Sequence, residues 1–185
     1  TQGGDIAVLT LSEPVSGILP SPLYTDDRLP SDSEGVVVGF GRTGGSPFTN
    51  LDAGVKRFGS VSTSMCPSGI NNDTHLCWYF FGDGSSTCQG DSGGPMFIES
   101  IRGPALAGVT SGGGNLTCQA TDISYNTDVT VHTPWVFDQS HDIDRTAPCD
   151  TLPPVGSFAT QVYEHSGLLN SSTTVALQEI RVPAT

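Results

Sequence analysis

This chain of 185 residues has few positive charges and no long hydrophobic segment. Seven Lys and Arg residues stand against 19 Asp and Glu residues, which gives a formal net charge of −12. Such an acidic chain is poorly suited to bind nucleic acid or an anionic membrane through its overall charge. No apolar stretch is long enough to span a membrane, and no long segment has sustained helical periodicity. We therefore expect neither a nucleic-acid partner nor a membrane partner.

The abundant residues indicate short strands joined by turns. The chain contains 23 Gly and 13 Pro residues, and Ser, Thr, Asn and Asp separate its short apolar runs. Because Gly and Pro punctuate regular structure and favour turns, this composition predicts an all-β fold. Five cysteines fit an oxidising compartment, so we expect a secreted, extracellular protein.

The most specific motif is Cys88-Gln89-Gly90-Asp91-Ser92-Gly93-Gly94-Pro95. It places a serine on a tight turn, where glycines accept backbone angles that other residues resist and leave N–H groups uncovered. Two such N–H groups, those of Gly90 and Ser92, could point at one spot and hold a developing oxyanion. The motif therefore indicates a nucleophilic serine.

This motif resembles the nucleophile motif of trypsin-like serine proteases, which have the chymotrypsin fold. A second segment, Gly4-Asp5-Ile6-Ala7-Val8-Leu9-Thr10-Leu11, resembles the family segment that carries the triad aspartate. There Asp5 precedes an alternating run that predicts a strand. The run at residues 36–41 resembles the family's Gly-Trp-Gly segment, with Phe40 in place of tryptophan. The resemblance covers roughly residues 2–140.

The family's catalytic histidine has no counterpart in this sequence. In the family it lies in an Ala-Ala-His-Cys-like motif upstream of the aspartate, whereas only four residues precede Asp5 and none is histidine. The four histidines present all follow Asp5, lie in no similar motif and are expected to be surface or structural: His75, His132, His141 and His165. The resemblance therefore implies the C-terminal portion of a protease, which begins just before the triad acid.

The same resemblance implies three regions. Residues 1–30 would end the first barrel and cross to the second, and residues 31–145 would form the second barrel and the terminal helix. We predict the last strand at residues 128–131 and the start of the terminal helix at residues 134–138. Residues 146–185 would form a C-terminal extension, in which residues 175–182 alternate as a strand does.

The resemblance implies a serine endopeptidase that hydrolyses peptide bonds by Ser-His-Asp acyl transfer. Ser92 would be the nucleophile, and Asp5 would orient a histidine supplied by an N-terminal portion with the first barrel. Gly90 and Ser92 would form the oxyanion hole, and Asp91 would pair with the amino terminus freed by zymogen cleavage. No cofactor or metal ion is expected. The alternative is a catalytically inactive protease homologue that acts as a binding or structural module.

The resemblance also implies a primary specificity pocket. Ser86 would form its floor, its walls would include Ser111-Gly112-Gly113, and Gln89 would also contact substrate. An uncharged floor offers no partner to a substrate Lys or Arg, and Gly113 leaves the entrance open, so we expect cleavage after Phe, Tyr or Leu. If the register shifts, Asp122 would reach the pocket instead and favour basic substrates.

The resemblance implies two disulfides, Cys66–Cys77 and Cys88–Cys118, and leaves Cys149 as a candidate for an interchain bond. A further family bridge would fall near Gly35 and at Ile98, where this chain has no cysteine.

Three Asn-x-Ser/Thr sequons, at Asn72, Asn115 and Asn170, predict glycosylation on exposed loops of a eukaryotic secreted protein. Asn115 lies in the stretch that would edge the substrate cleft.

Overall fold

The computed structural model describes residues 4–11, 20–44, 52–82, 84–101 and 103–139. In chain order these contain β1 (Glu34–Gly39), β2 (Arg57–Ser62), β3 (His75–Phe80), β4 (Pro95–Ser100), β5 (Gly103–Gly113), β6 (Asp122–Asp128) and α1 (Val129–Gln139). No helix in these ranges is long and apolar enough to cross a membrane.

The strands form one antiparallel sheet in the order β2-β1-β4-β5-β6-β3. Its two edges approach each other, because Ser64, two residues after β2, forms an isolated bridge with Cys77 of β3. A side chain added at Gly59 of β2 would collide with Ser85, which follows β3. The sheet is therefore curled into a half-barrel. This architecture confirms the all-β prediction and is that of a chymotrypsin-like barrel.

The hydrophobic core lies inside the curl. It contains Leu29, Val37, Val61, Leu76, Trp78, Met96, Ile98 and Ala107, with Tyr24 packed against it. The alternation expected for β4 is present, since Met96 and Ile98 are buried and Phe97 between them is less so. Each fully buried Val, Leu, Ile or Met side chain of this core contributes about 1.5–3 kcal/mol to the free energy of folding.

Gly35 and Ile98 are paired residues of β1 and β4. A Cβ at Gly35 would lie 2.7 Å from Met96 Cε and 2.9 Å from Ile98 Cδ1. Two aliphatic side chains thus fill the space over the glycine. Apolar packing holds together the positions at which the family bridge is missing.

The last strand and the terminal helix begin earlier than the sequence predicted. β6 ends at Asp128 and α1 starts at Val129, so both the strand at 128–131 and the helix start at 134 are wrong. The reason is a helix cap. Asp128 Oδ1 accepts hydrogen bonds from Thr130 N at 2.9 Å and from Thr130 Oγ1 at 2.6 Å. An aspartate in this position satisfies a free N–H group of the first helical turn.

The segment from Gly4 to Leu11 forms no strand within the described part of the chain. Its side chains do alternate in exposure from Gly4 to Leu9, but Leu9 is 84% exposed. An alternating pattern becomes a strand only when a neighbouring strand takes up its backbone hydrogen bonds. The strand prediction for these residues is therefore wrong for the structure described.

Several sequence predictions lie outside the described residues: Cys149, Asn170, His141, His165 and the strand at 175–182. The division of the chain at residues 30 and 145 stays a prediction.

Candidate active site

Ser92 is exposed on the turn that precedes β4. Gly90 and Gly93 flank it with φ angles of 95° and 79°. Only glycine accepts such angles without strain, so the local sequence dictates this turn. The turn therefore presents the Ser92 side chain to solvent, as a nucleophile requires.

Of the five backbone N–H groups from Gly90 to Gly94, three donate hydrogen bonds to the described residues and two do not. Of the three, two donate within the turn, from Asp91 to Cys88 O at 3.0 Å and from Gly94 to Asp91 O at 2.9 Å, and that of Gly93 donates to Thr110 O of β5 at 2.8 Å. The N–H groups of Gly90 and Ser92 donate to no acceptor among the described residues. These are the two donors that the sequence assigned to an oxyanion hole.

The Asp91 carboxylate is turned away from Ser92 and is held by backbone. Its Oδ1 accepts Gly41 N–H at 2.6 Å, and its Oδ2 accepts Cys88 N–H at 2.8 Å. Burial raises the pKa of Asp91, against the lowering effect of these two hydrogen bonds and of the more distant Arg57 charge. Asp91 therefore connects the turn at residues 88–94, called the nucleophile turn below, to the segment that directly follows β1.

Gly39 and Gly41 leave the space that this carboxylate occupies. A Cβ at Gly41 would lie 2.5 Å from Asp91 Cγ, and one at Gly39 would collide with Asp91 Oδ1. Any larger residue would displace Asp91. This gives the Gly-x-Gly pattern a physical reason that the sequence alone did not reveal.

A cavity of about 240 Å³ adjoins Asp91, with Gly39, Gly41, Arg57 and Ser85 among its lining residues. Arg57 stabilises the wall of this cavity, since its Nη1 donates to Gly41 O at 3.0 Å and its Nη2 pairs with Asp52 Oδ2 at 3.3 Å. The cavity thus leaves space beside Asp91 that another chemical group can occupy.

Asp5 is held at the same end of β5 as the nucleophile turn. Its Oδ2 accepts a hydrogen bond from Ser111 Oγ at 2.8 Å, and its backbone oxygen accepts one from Thr127 Oγ1 at 2.8 Å. The residue before Ser111 is Thr110, whose backbone holds Gly93 and Gly94. Two consecutive residues of β5 therefore position the predicted acid and the predicted nucleophile.

Neither histidine in the described ranges serves as a base for this pair. His132 lies against Gly4, the neighbour of Asp5, but makes no hydrogen bond with Asp5 or Ser92 in the described ranges. His75 packs edge-on against Tyr125, with ring centroids 5.7 Å apart.

The predicted pocket floor, Ser86, has a partner that sequence reasoning missed. Ser86 Oγ lies 2.9 Å from Ser124 Oγ, and Ser124 Oγ also accepts Thr87 N–H at 3.1 Å. Ser124 is fully buried in β6. The alternation of Asp122, Ser124 and Asn126 was the available signal, but polar side chains on an inner face do not follow the usual core pattern.

The predicted wall residues Ser111, Gly112 and Gly113 are the last three residues of β5. Gln89 Nε2 donates to Leu116 O at 2.6 Å. The alternative residue Asp122 is buried, and its Oδ2 would lie 3.7 Å from a Cβ at Gly113. The structure thus places Asp122 beside one wall of the predicted pocket.

Both implied disulfides, Cys66–Cys77 and Cys88–Cys118, are present. The second links the nucleophile turn to the segment that follows β5.

Of the sequons, Asn115 is exposed and Asn72 is partly buried, with its Oδ1 accepting Cys66 N–H at 2.7 Å. Their glycosylation stays a prediction.

Comparison with known proteins decides the family. The family model described as Trypsin matches residues 1–136, which include Asp5, Ser92 and all six strands. The chain belongs to the trypsin family. The resemblance seen in the sequence is confirmed, and a serine protease function is supported in general terms.

Three relatives in the trypsin family show how much of such a protein this chain represents. A trypsin of Phaedon cochleariae is 31% identical over 108 residues, which cover 54% of this chain and 42% of that protein. The platelet-aggregating proteinase PA-BJ of Bothrops jararaca is 29% identical over 139 residues, with coverages of 71% and 56%. A trypsin of Saccharopolyspora erythraea is 33% identical over 116 residues, with coverages of 60% and 49%. The chain spans about half the length of the curated relatives it matches.

Proposed function

We propose that this chain supplies the nucleophile and the acid of a serine endopeptidase. The observation that carries the proposal is the placement of both residues by β5. Ser111 donates to Asp5, and the preceding residue, Thr110, binds the backbone of the Ser92 turn. Two residues 87 positions apart in the chain are thus each held, directly or through their neighbours, by consecutive residues of one strand.

In the proposed reaction Ser92 Oγ attacks the scissile carbonyl carbon while a histidine takes its proton. The N–H groups of Gly90 and Ser92 stabilise the negative charge that develops on the carbonyl oxygen. The histidine then protonates the leaving amine, and an acyl-enzyme remains on Ser92. Water attacks this ester with the same histidine as base, which releases the acid and restores Ser92. Asp5 holds the imidazole in the required orientation throughout.

The histidine is proposed to come from an N-terminal portion that carries the first barrel. Support comes from the coverage of the relatives, of which this chain spans about half. Further support comes from Leu9, four positions after Asp5, whose side chain is largely exposed and would pack against that barrel. We also propose that Cys149 bonds covalently to that portion in a secreted glycoprotein. Electrophoresis without reductant tests this link, because the chain would then migrate together with its partner.

Asp91 is proposed to control activation. A free amino terminus that enters the adjoining cavity would pair with the Asp91 carboxylate and hold the turn in shape. The raised pKa of Asp91 supports this role, since a cationic partner stabilises the charged form of a partly buried carboxylate. Zymogen cleavage would supply that amine.

A peptidyl phosphonate tests the proposal on the full, processed protein. The phosphorus should attach to Ser92 Oγ, as mass spectrometry of the digested protein would show. Ser92→Ala should abolish the adduct, and Asp5→Asn should slow its formation by about 10⁴-fold, the scale of this change in the Ser-His-Asp template. Ser60→Ala, on an exposed position of β2, is the matched control. A processed protein that is folded yet gives no adduct would support the inactive homologue instead.

A further inference from the structure

A second cavity lies at the seam between β2 and β3, where residues 64–66 meet Cys77. It has a volume of about 340 Å³ and shares no lining residue with the cavity beside Asp91. The seam is closed by Ser64 N–H, which donates to Cys77 O at 2.7 Å, and by the disulfide Cys66–Cys77. Pockets for small ligands have volumes of about 300–1,000 Å³, so this cavity has room for one sugar ring. Its lining includes Leu29, Ser64, Met65, Asn72, His75 and Leu76.

The Asn72 side chain is held at this cavity in one orientation. Its Oδ1 accepts Cys66 N–H at 2.7 Å. Its Nδ2 makes no hydrogen bond to the described residues and is not sealed from solvent. Asn72-Asp73-Thr74 is a sequon, and Nδ2 is the atom to which a glycan attaches. Because Asn72 itself lines the cavity, a sugar joined to Nδ2 would start at the cavity wall.

The apolar part of the lining matches one face of a sugar ring. Leu29 and Leu76 belong to the hydrophobic core and also border the cavity. Met65 borders it too, but its side chain is 63% exposed. An apolar side chain gains about 25 cal/mol for each Å² removed from water, so a ligand that covers Met65 is stabilised. The acetyl methyl group and the C–H face of N-acetylglucosamine supply such a cover.

The polar side chains at the cavity favour an uncharged ligand with hydroxyl groups. Arg28 and Asp73 both border it, and Arg28 Nη1 pairs with Asp73 Oδ1 at 3.3 Å. Each of these charges already has a partner, so neither requires an opposite charge on the ligand. Ser64 Oγ makes only a long hydrogen bond of 3.4 Å, and His75 adds its imidazole ring. Hydroxyl and imidazole groups both form hydrogen bonds with sugar hydroxyls.

We propose that Asn72 carries an N-linked glycan whose first N-acetylglucosamine occupies this cavity and covers the seam. In the transfer, Nδ2 bonds to the anomeric carbon of an oligosaccharide carried on a lipid diphosphate. The bond from that carbon to the diphosphate oxygen breaks, the lipid diphosphate leaves, and Nδ2 loses one proton. The proposal does not depend on the protease function. It gives Asn72 a structural role that the exposed sequon at Asn115, which borders neither described cavity, does not share.

Glycan release from the native protein tests the seat. The full protein, secreted from eukaryotic cells, is treated with a peptide N-glycosidase, which must reach the bond between Nδ2 and the first sugar. Mass spectrometry follows each site as Asn becomes Asp. We expect release at Asn72 to be about tenfold slower than at Asn115 or more, because the sugar must first leave the cavity by local opening. After unfolding, both sites should react at similar rates. Met65→Ser removes the exposed apolar wall and should speed release at Asn72 alone.

Thermal unfolding tests whether the first sugar stabilises the seam. An endoglycosidase first trims every glycan to a single N-acetylglucosamine. Asn72→Asp then removes the sugar but keeps an oxygen for Cys66 N–H. Asn115→Asp is the matched control, since its Oδ1 likewise keeps its bonds from Thr117. Asn72→Asp should lower Tm by about 2–4 °C, the scale of one lost set of buried contacts in a chain of this size, and Asn115→Asp should leave Tm unchanged.

Three results would overturn the proposal. The first is a secreted protein that carries a sugar on Asn115 and none on Asn72. The second is equal release from both sites of the native protein, which would show that the first sugar on Asn72 lies in solvent. The third is an equal Tm for the trimmed protein with and without the Asn72 sugar.

Discussion

Gly41→Ala should inactivate the proposed protease without changing any residue of its reacting groups. The new Cβ would lie 2.5 Å from Asp91 Cγ and 2.6 Å from both carboxylate oxygens, so the carboxylate or the β1 end must move. Either movement breaks the bond of 2.6 Å between Gly41 N and Asp91 Oδ1. Because Asp91 stands between Gly90 and Ser92 in the chain, the two oxyanion donors would lose their alignment.

The magnitude follows from the bonds involved. A hydrogen bond to a charged group contributes about 1.5–3 kcal/mol, which corresponds to a factor of roughly 10 to 150 in rate. Removal of one oxyanion donor reduces kcat by about 10²–10³. We therefore expect kcat to fall about 100-fold, with a much smaller change in KM because the predicted pocket walls on β5 stay in place.

Gly54→Ala is the matched control, because it strains the same loop without touching Asp91. Gly54 has a φ of 95°, and a Cβ there would meet nothing within 4 Å. It should therefore reduce stability and spare kcat. Steady-state kinetics with one good peptide substrate, and urea unfolding of both variants, separate the two effects. A Gly41→Ala protein with unchanged kcat would refute the role assigned to this glycine.

Three further predictions concern the acid, a buried amine and the sheet. Ser111→Ala removes the bond to Asp5 Oδ2 and should reduce kcat/KM about tenfold or more, whereas an unchanged value would show that Ser111 does not position Asp5. Lys56 is 7% exposed, and burial lowers the pKa of its amine in the folded protein to about 8. Between about pH 8 and 10.5 the unfolded chain therefore keeps a proton on this amine that the folded protein has lost. Lys56→Met should therefore be about 1–3 kcal/mol more stable at pH 7, an advantage that disappears near pH 10.5 in urea unfolding, and a gap independent of pH would contradict this. Gly35→Cys with Ile98→Cys should form a disulfide between paired strand positions, seen as the loss of two thiols, and persistent free thiols would disprove the register.

Local chemistry explains what could be predicted from the sequence. The turn around Ser92 is dictated by glycines within a few residues of it, so the exposed serine and its two free N–H groups were predicted from the motif alone. The all-β class was predicted because Gly and Pro punctuate short apolar runs along the whole chain, whereas the barrel was implied by the family resemblance. β1, β4 and β5 contain short apolar runs of the kind that indicate strands.

Contacts between distant segments explain what could not be predicted. Gly41 and Asp91 are 50 positions apart, and only the fold shows that one makes space for the other. β6 was missed because its inward residues are polar, so the alternation carries no hydrophobic signal. Asp128 was assigned to a strand start although it caps a helix, and Ser124 received no role because its contact with Ser86 joins residues 38 positions apart.

The most direct test of the central claim is to trap the acyl-enzyme. The full, processed protein is mixed with an activated peptide ester, quenched in acid and analysed by mass spectrometry after digestion. The account predicts that a stoichiometric acyl group will appear on Ser92 before steady-state hydrolysis begins, and that Asp5→Asn will slow its formation greatly. Hydrolysis without an acyl group on Ser92, or an acyl group on another residue, would contradict it.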